Sequence, residues 1–221
     1  MKAIAKEVSI LSTGLPISYA TSAIIRVAEE RYDVIKLCIT GPEGTPYANG
    51  LFFFDIFFPE NYPLIPPVFE YLTTGNGAWR ANPNLYQSGK VCLSLLNTWS
   101  TNQWLPSTST LLQVILSIQA MIFVTRPYFN EPGYGDPTNS AECLSYNRDV
   151  RWNTVRHAMI GNLKNPPVGF EDVVKTFFEL KKKRIIQQLN AWKELDCNHQ
   201  PPFSLEATKL QNELEFLLEA L

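Results

Sequence analysis

Apolar positions step by three and four at both ends of this chain and alternate in between, so helices should flank a sheet. Ile4, Val8 and Leu11 share one helical face, and Gly14 with Pro16 stops that helix. From Ala23 to Phe69 the runs SAIIRV, YDVIKLCIT, GLFFFDIFF and PVFEYL, parted by turn-forming segments, predict a meander of four antiparallel strands. Pro63, Pro66 and Pro67 each lack a backbone donor, so the chain must leave the sheet after Phe58 and re-enter it. A long irregular stretch, Thr73 to Ser109, comes next, and loops of that length in a compact domain usually carry function. LLQVILSIQAMIF, Leu111 to Phe123, is apolar on nearly every face and predicts a helix buried all round. After the turn-rich RPYFNEPGYGDP, amphipathic helices begin near Ala141 and near Phe170. The last segment sets Leu210, Leu214, Leu217 and Leu221 along one seam of a final helix.

With 221 residues and 45% hydrophobic content, the chain can bury a substantial core. Nineteen basic and 21 acidic residues leave a formal charge of only −2, which gives no electrostatic reason to expect nucleic acid as a partner. No apolar run approaches the roughly 18 residues of a membrane span, and the N-terminus is too interrupted by charge for a signal peptide. A soluble protein of the cytoplasm, with the nucleus also open to it, is expected. Cys38, Cys92, Cys143 and Cys197 stand singly, without a CxxC pair, and predict free thiols in a reducing compartment. Cys197 and His199 are close in sequence but lack further ligands, so they are read as bystanders and no metal is expected.

Residues 82–99 read NPNLYQSGKVCLSLLNTW, a thiol just after a glycine turn in a stretch without histidine. A cysteine hydrolase needs an imidazole to form its thiolate and protonate the leaving group. The two histidines, His157 and His199, are far along the chain, so a protease remains open but poorly supported. Exchange between thioesters asks less, because attacking and leaving sulfurs have similar basicity, and a free thiol of pKa about 8.5 is already a few per cent thiolate at neutral pH. Onward transfer passes through an oxyanion that preorganised donors stabilise. The Asn84 amide is one candidate donor; asparagine beside proline is also ordinary turn chemistry.

GPEGTPYANGLFFFDIFFPENYPLIPP, then NPNLYQSGKVCLSLL, then Trp104 with Pro106, strongly resemble the catalytic core of ubiquitin-conjugating enzymes over approximately Lys2 to Tyr134. The resemblance implies an α/β fold of the α+β kind: an N-terminal helix, a four-stranded antiparallel meander, an active-site loop, a central crossover helix and C-terminal helices. It implies that Cys92 receives the C-terminal glycine of ubiquitin as a thioester from an activating enzyme and passes it to a substrate lysine. No cofactor is implied, since ATP is used by the activating enzyme. Asn84 matches the family's catalytic asparagine, with an oxyanion or loop-ordering role. Asn82 stands where the family usually has a histidine regarded as structural, and an amide can replace imidazole as a hydrogen-bonding strut but not as a base.

The longer segment LSLLNTWSTNQ, the Asn-Pro-Asn form, RPYFNEPGY and the long C-terminus resemble the large-chain subgroup. That subgroup includes plant phosphate-homeostasis conjugating enzymes and giant enzymes with both conjugating and ligase functions, one of them bearing a baculoviral inhibitor-of-apoptosis repeat. In the giants this domain lies near the C-terminal end of a much longer chain, so Met1 need not begin the whole protein, and intrinsic ligase character is left open. Residues 1–165 would form the catalytic core and 166–221 a helical extension packed on it or following it. By the same resemblance Glu131 orients the incoming lysine, although an exposed turn carboxylate is an equal reading. Tyr86 and Ser94 would line the channel for ubiquitin's tail. Leu64, Pro106 and Ser107 fall in the loops that meet the activating enzyme and a ligase, and Leu116 and Ala120 on the helix that holds donor ubiquitin. A carrier of another ubiquitin-like modifier and a non-catalytic binding relative are the alternatives.

Overall fold

A computed structural model describes residues 2–99, 103–131, 133–134, 141–196 and 201–221, with the side chains of 201–204 left out of account. Cys197 and His199 lie outside the described residues. Helix α1, Lys2–Gly14, leads into strands β1, Ala23–Val27, β2, Val34–Thr40, β3, Leu51–Phe57, and β4, Val68–Tyr71. These strands pair antiparallel in the order β1-β2-β3-β4. The meander thus forms as the turn signals predict, and Pro63, Pro66 and Pro67 fall in the β3–β4 connection, where no ladder donor is lost.

The pairing register explains why β3 reads as an almost unbroken apolar run. Leu37 pairs with Phe54 and Ile39 with Phe52, and all four face a core closed by Leu11 of α1 and by Leu111, Val114, Ile115 and Ile118. Cys38, paired with Phe53, faces the other way into a second core. Further along, Lys36 and Asp55 sit directly opposite each other and pair at 3.1 Å, partly open to water. One end of the sheet is therefore covered on both faces, as a two-sided apolar strand requires.

The second cover comes from the C-terminal helices. Helix α3, Ala141–Asn153, passes through a π-helical stretch, Thr154–Ile160, into α4, Gly161–Lys164; α5, Glu171–Asp196, and α6, Pro201–Glu219, follow. Trp152, Val155, Met159, Phe178, Ile185, Leu189 and Leu214 meet Leu51 and Phe53 in this layer, so residues from both sides of position 165 share one core. Asp196, at the end of α5, accepts from the Arg151 guanidinium and from Trp152 Nε1 at 3.0 Å, tying α5 to α3. Two predicted patterns are corrected here. The buried seam of α6 runs Ala207, Leu210, Leu214, Leu218; Leu217 is only half-buried, and Leu221 lies beyond the helix end and is exposed.

The second correction concerns the central helix α2, Leu111–Ser117, which continues as π-helix through Ile122. It is not buried all round: Leu111, Val114, Ile115, Ile118 and Ile122 face the core, while Gln113, Leu116, Ala120 and Met121 are exposed. Its N-terminus is fixed twice. Thr110 and Gln113 form a reciprocal capping box, and the buried carboxylate of Glu7 accepts from Leu111 N at 2.9 Å, where the helix has unsatisfied donors. The other Glu7 oxygen accepts from Tyr62 OH at 2.6 Å, so one acidic residue of α1 ties the central helix to the β3–β4 connection. Both burial and that bond hold the Tyr62 phenol protonated well above its ordinary range.

Candidate active site

The Cys92 segment is built as a small hairpin laid against β4. Leu85 bridges to Val91 and Lys90 to Glu70, while Tyr71 N donates to Gly89 O at 2.7 Å. The turn needs glycine at position 89: its φ is +87°, and an added Cβ would press on Tyr71 O and Glu70 Cγ at 3.1 Å. The described residues of 73–99 and 103–109 are otherwise irregular, with one 3₁₀ turn among them at Ser94–Leu96 just after the thiol.

Within this frame the polar side chains of the Asn-Pro-Asn motif face inward. Asn82 is fully buried and uses both ends of its amide. Its Nδ2 donates to Tyr47 OH and to Ile122 O, each at 2.9 Å, and its Oδ1 accepts from Asn84 N at 2.8 Å and from Asn130 Nδ2 at 3.2 Å. Asn82 therefore joins the β2–β3 connection, the end of the central helix and the Cys92 loop. Asn84 stands next: its Nδ2 donates to the carbonyl of Cys92 at 2.8 Å, and its carbonyl accepts from Cys92 N at the same distance. The cysteine backbone is thus held on both polar groups by one residue.

The thiol itself is half-exposed, with Sγ 3.3 Å from Thr98 O. Partial burial pushes its pKa above that of a free thiol; Lys90 and Arg80 pull it back, and Glu131 pushes it up again. His157 instead stacks on Trp79, at 5.4 Å between centroids and 24° between planes, where burial and the neighbouring Arg156 lower its pKa. It lines a cavity with Phe53, Thr73 and Asn162, away from Cys92, which removes the geometric basis for a histidine-activated protease in the described residues.

A cleft of about 280 Å³ opens beside the thiol, lined by Asn84, Leu93, Ser94, Trp99, Met121, Ile122, Phe129 and Asn130. Of the two residues expected along a channel, Ser94 lines this cleft. Tyr86 does not; its ring carries the Arg80 guanidinium at 4.5 Å and the Lys90 ammonium at 5.7 Å. Glu131 lies by the same group, paired with Arg80 at 3.2 Å. Leu64 is 70% exposed, and Pro106 and Ser107 are exposed on the neighbouring loop. The two loops are locked together, since Trp104 Nε1 donates to Pro63 O at 2.8 Å.

Four residues of this site escape a motif reading. Thr98 Oγ1 accepts from Leu93 N at 2.8 Å and donates to Val91 O at 2.8 Å, bracing both neighbours of Cys92. Tyr47 and Asn130 reach Asn82 from 35 and 48 residues away along the chain, so no local spacing exposes them, and Arg80 reaches Pro83 O from three residues before it. Arg80 alone had a signal, a cation two residues before the motif. Among the described residues no group of three or more histidines, cysteines or carboxylates is placed to hold a metal ion, and no helix is long and apolar enough to cross a membrane.

The family model for ubiquitin-conjugating enzyme matches residues 4–156. The chain is 46% identical over 196 residues to the human "Dual E2 ubiquitin-conjugating enzyme/E3 ubiquitin-protein ligase BIRC6", an alignment taking in 86% of this chain and 4% of that protein. It is 42% identical over 200 residues to the "Putative ubiquitin-conjugating enzyme E2 38" of Arabidopsis thaliana, with 87% and 59% covered. A solved ubiquitin-conjugating enzyme E2 from Plasmodium falciparum is 28% identical, with a TM-score of 0.45 over 57% of this chain and 97% of that one. The chain spans only part of the curated relatives it matches, from 4% of the human protein to 59% of the plant one. Since the matched residues run unbroken from α1, through the meander and the Cys92 hairpin, into the helix that follows, this chain belongs to the ubiquitin-conjugating enzyme family.

Proposed function

We propose that this domain carries ubiquitin as a thioester on Cys92 and transfers it to a substrate lysine. The observation that carries the reading is the setting of the thiol: half-exposed, on a backbone whose N–H and carbonyl are both held by Asn84, with His157, the histidine among the described residues, stacked on Trp79 instead. In the charging step the Cys92 thiolate attacks the carbonyl of the activating enzyme's thioester and that enzyme's thiolate leaves, so one carbon–sulfur bond replaces another. In transfer the lysine amine attacks the new thioester, a carbon–nitrogen bond forms, the bond to Cys92 breaks, and an amine proton passes to solvent. Asn84 has two amide hydrogens and spends one on the Cys92 carbonyl, which leaves the second for a developing oxyanion. Asn82 acts as the strut beneath it.

The partners follow from this reading: ubiquitin, its activating enzyme and a protein substrate, with a separate ligase where substrate is not bound directly. The cleft of about 280 Å³ beside Ser94 and Trp99 would take ubiquitin's extended, small-residue tail. Exposed Leu64, with Pro106 and Ser107, offers an apolar anchor for the activating enzyme or a ligase. The exposed side of the central helix, Leu116, Ala120 and Met121, would hold the donor ubiquitin. One relative's name combines conjugating and ligase functions, and intrinsic ligase character belongs to the same proposal.

The experiment is charging. With activating enzyme, ATP and ubiquitin, the protein should gain an adduct that thiol reagents remove, and Cys92→Ser should give a reductant-resistant ester or nothing. A normal thioester on that variant overturns the assignment, and parallel reactions with other ubiquitin-like modifiers decide which one is carried.

A further inference from the structure

Three side chains outside the Asn-Pro-Asn motif meet beside the thiol. The Arg80 guanidinium lies over the Tyr86 ring, pairs with Glu131 at 3.2 Å and donates to Pro83 O at 2.7 Å. Pro83 immediately precedes Asn84, whose amide holds the Cys92 carbonyl at 2.8 Å, so the bond to Pro83 O sets the cluster next to the thiol's own clamp, and both charges bear on the thiol. An aromatic face and a carboxylate are together what holds an ammonium ion. Here both already hold a cation that belongs to the chain.

We propose that Arg80 is a resident cation in the slot that receives the substrate lysine, so that transfer requires the incoming ammonium to displace the guanidinium from Glu131 and Tyr86. The inference rests on the reading of Cys92 as the acyl carrier. Displacement is feasible because the pair is partly solvated, with 41% of the Arg80 side chain and 37% of the Glu131 side chain exposed. The guanidinium also keeps a seat at Pro83 O once it leaves the carboxylate. A pair of this exposure with a ring contact beside it should disfavour a competing ammonium by about three- to tenfold. A lysine presented by a bound substrate overcomes that through its high effective concentration, whereas free amines in solution do not. Arg80 is then a specificity-determining residue that suppresses discharge to adventitious amines. Once the amine is seated, it loses one proton to solvent and attacks the thioester carbonyl; the bond to Cys92 breaks, and the second amine proton is released as the amide forms.

The test uses Arg80→Gln, which removes the charge but keeps a donor for the Pro83 carbonyl, with Arg80→Lys and the double variant Arg80→Gln/Glu131→Gln beside it. Each protein is charged with ubiquitin, and single-turnover discharge is followed to free lysine and to hydroxylamine, which is uncharged at neutral pH. Loss of a cation also makes the Cys92 thiolate a poorer leaving group, but that affects both nucleophiles, so the ratio of the two rates isolates the slot. The ratio of lysine to hydroxylamine rates should rise about three- to tenfold in Arg80→Gln, with a lower half-saturating lysine concentration. The gain should be smaller in Arg80→Lys and absent in the double variant. An unchanged ratio, or a gain that survives loss of Glu131, overturns the proposal. The uncharged protein separates this from failure of the carrier reading: modification of Cys92 by a cationic relative to a neutral methanethiosulfonate, resolved by mass spectrometry, should rise in Arg80→Gln and not in the double variant. A flat ratio there overturns the slot even if the parent never charges.

Discussion

Asn82→Ala is the perturbation whose cost can be worked from the contacts. The substitution deletes four hydrogen bonds, two donated and two accepted, all inside a fully buried site. Three of the partners keep another bond: Tyr47 OH still donates to Ala81 O, Ile122 O still accepts from Val124 N, and Asn130 still donates to Met121 O. Asn84 N does not, and a stranded buried donor costs about 1–3 kcal/mol, with the other lost bonds adding about 0.5–1.5 kcal/mol each before relaxation. A net loss of about 3 kcal/mol is expected, which for a chain of this size lowers Tm by about 6–12 °C. Thermal scans followed by tryptophan fluorescence, with urea titrations at unchanged m, measure it. The same variant separates strut from base. Losing a general base costs about 10²–10⁴ in rate, whereas alkylation of Cys92 by iodoacetamide at fixed pH should change by only a few-fold when a strut is lost. A Tm within about 1 °C of the parent, or a hundredfold loss of alkylation, would refute the reasoning.

The remaining predictions concern the thiol and its partners. Asn84→Ala should charge at close to the parental rate but discharge to lysine about 10²-fold more slowly, as for loss of an oxyanion donor; discharge within twofold of the parent leaves Asn84 with loop ordering alone. Iodoacetamide alkylation of Cys92 should rise with pH through a midpoint above that of a free thiol, because the thiolate reacts and partial burial disfavours it. Lys90→Gln should move that midpoint higher still, and a midpoint at or below the free-thiol value in either protein contradicts the electrostatics described for the site.

Much of the fold was legible because local rules settle it. The meander follows from strand runs separated by turn residues, and the exit from the sheet follows from prolines that cannot donate. Where prediction failed, periodicity was blind to neighbours. LLQVILSIQAMIF has apolar residues on every face, yet only one side is packed, since nothing among the described residues covers Leu116, Ala120 and Met121. Likewise Leu218 rather than Leu221 completes the α6 seam, because the helix stops at Glu219.

The site divides in the same way. Cys92, Asn84 and Asn82 lie within eleven residues of one another, and a short hairpin with its glycine turn suffices to bring them together. The chain by itself nominated the candidate atoms for the chemistry. Whether Asn82 is a strut, where Tyr86 points and what neutralises Glu131 were decided by the tertiary structure alone. Asn82 takes its meaning from Tyr47 OH, the end of the central helix and Asn130, and Glu131 from Arg80 51 residues earlier. The physical reason is the range of the forces: strand, turn and capping preferences act over a few residues, whereas the hydrogen bonds and charges that set a side chain's chemistry come from whichever segments folding packs against it.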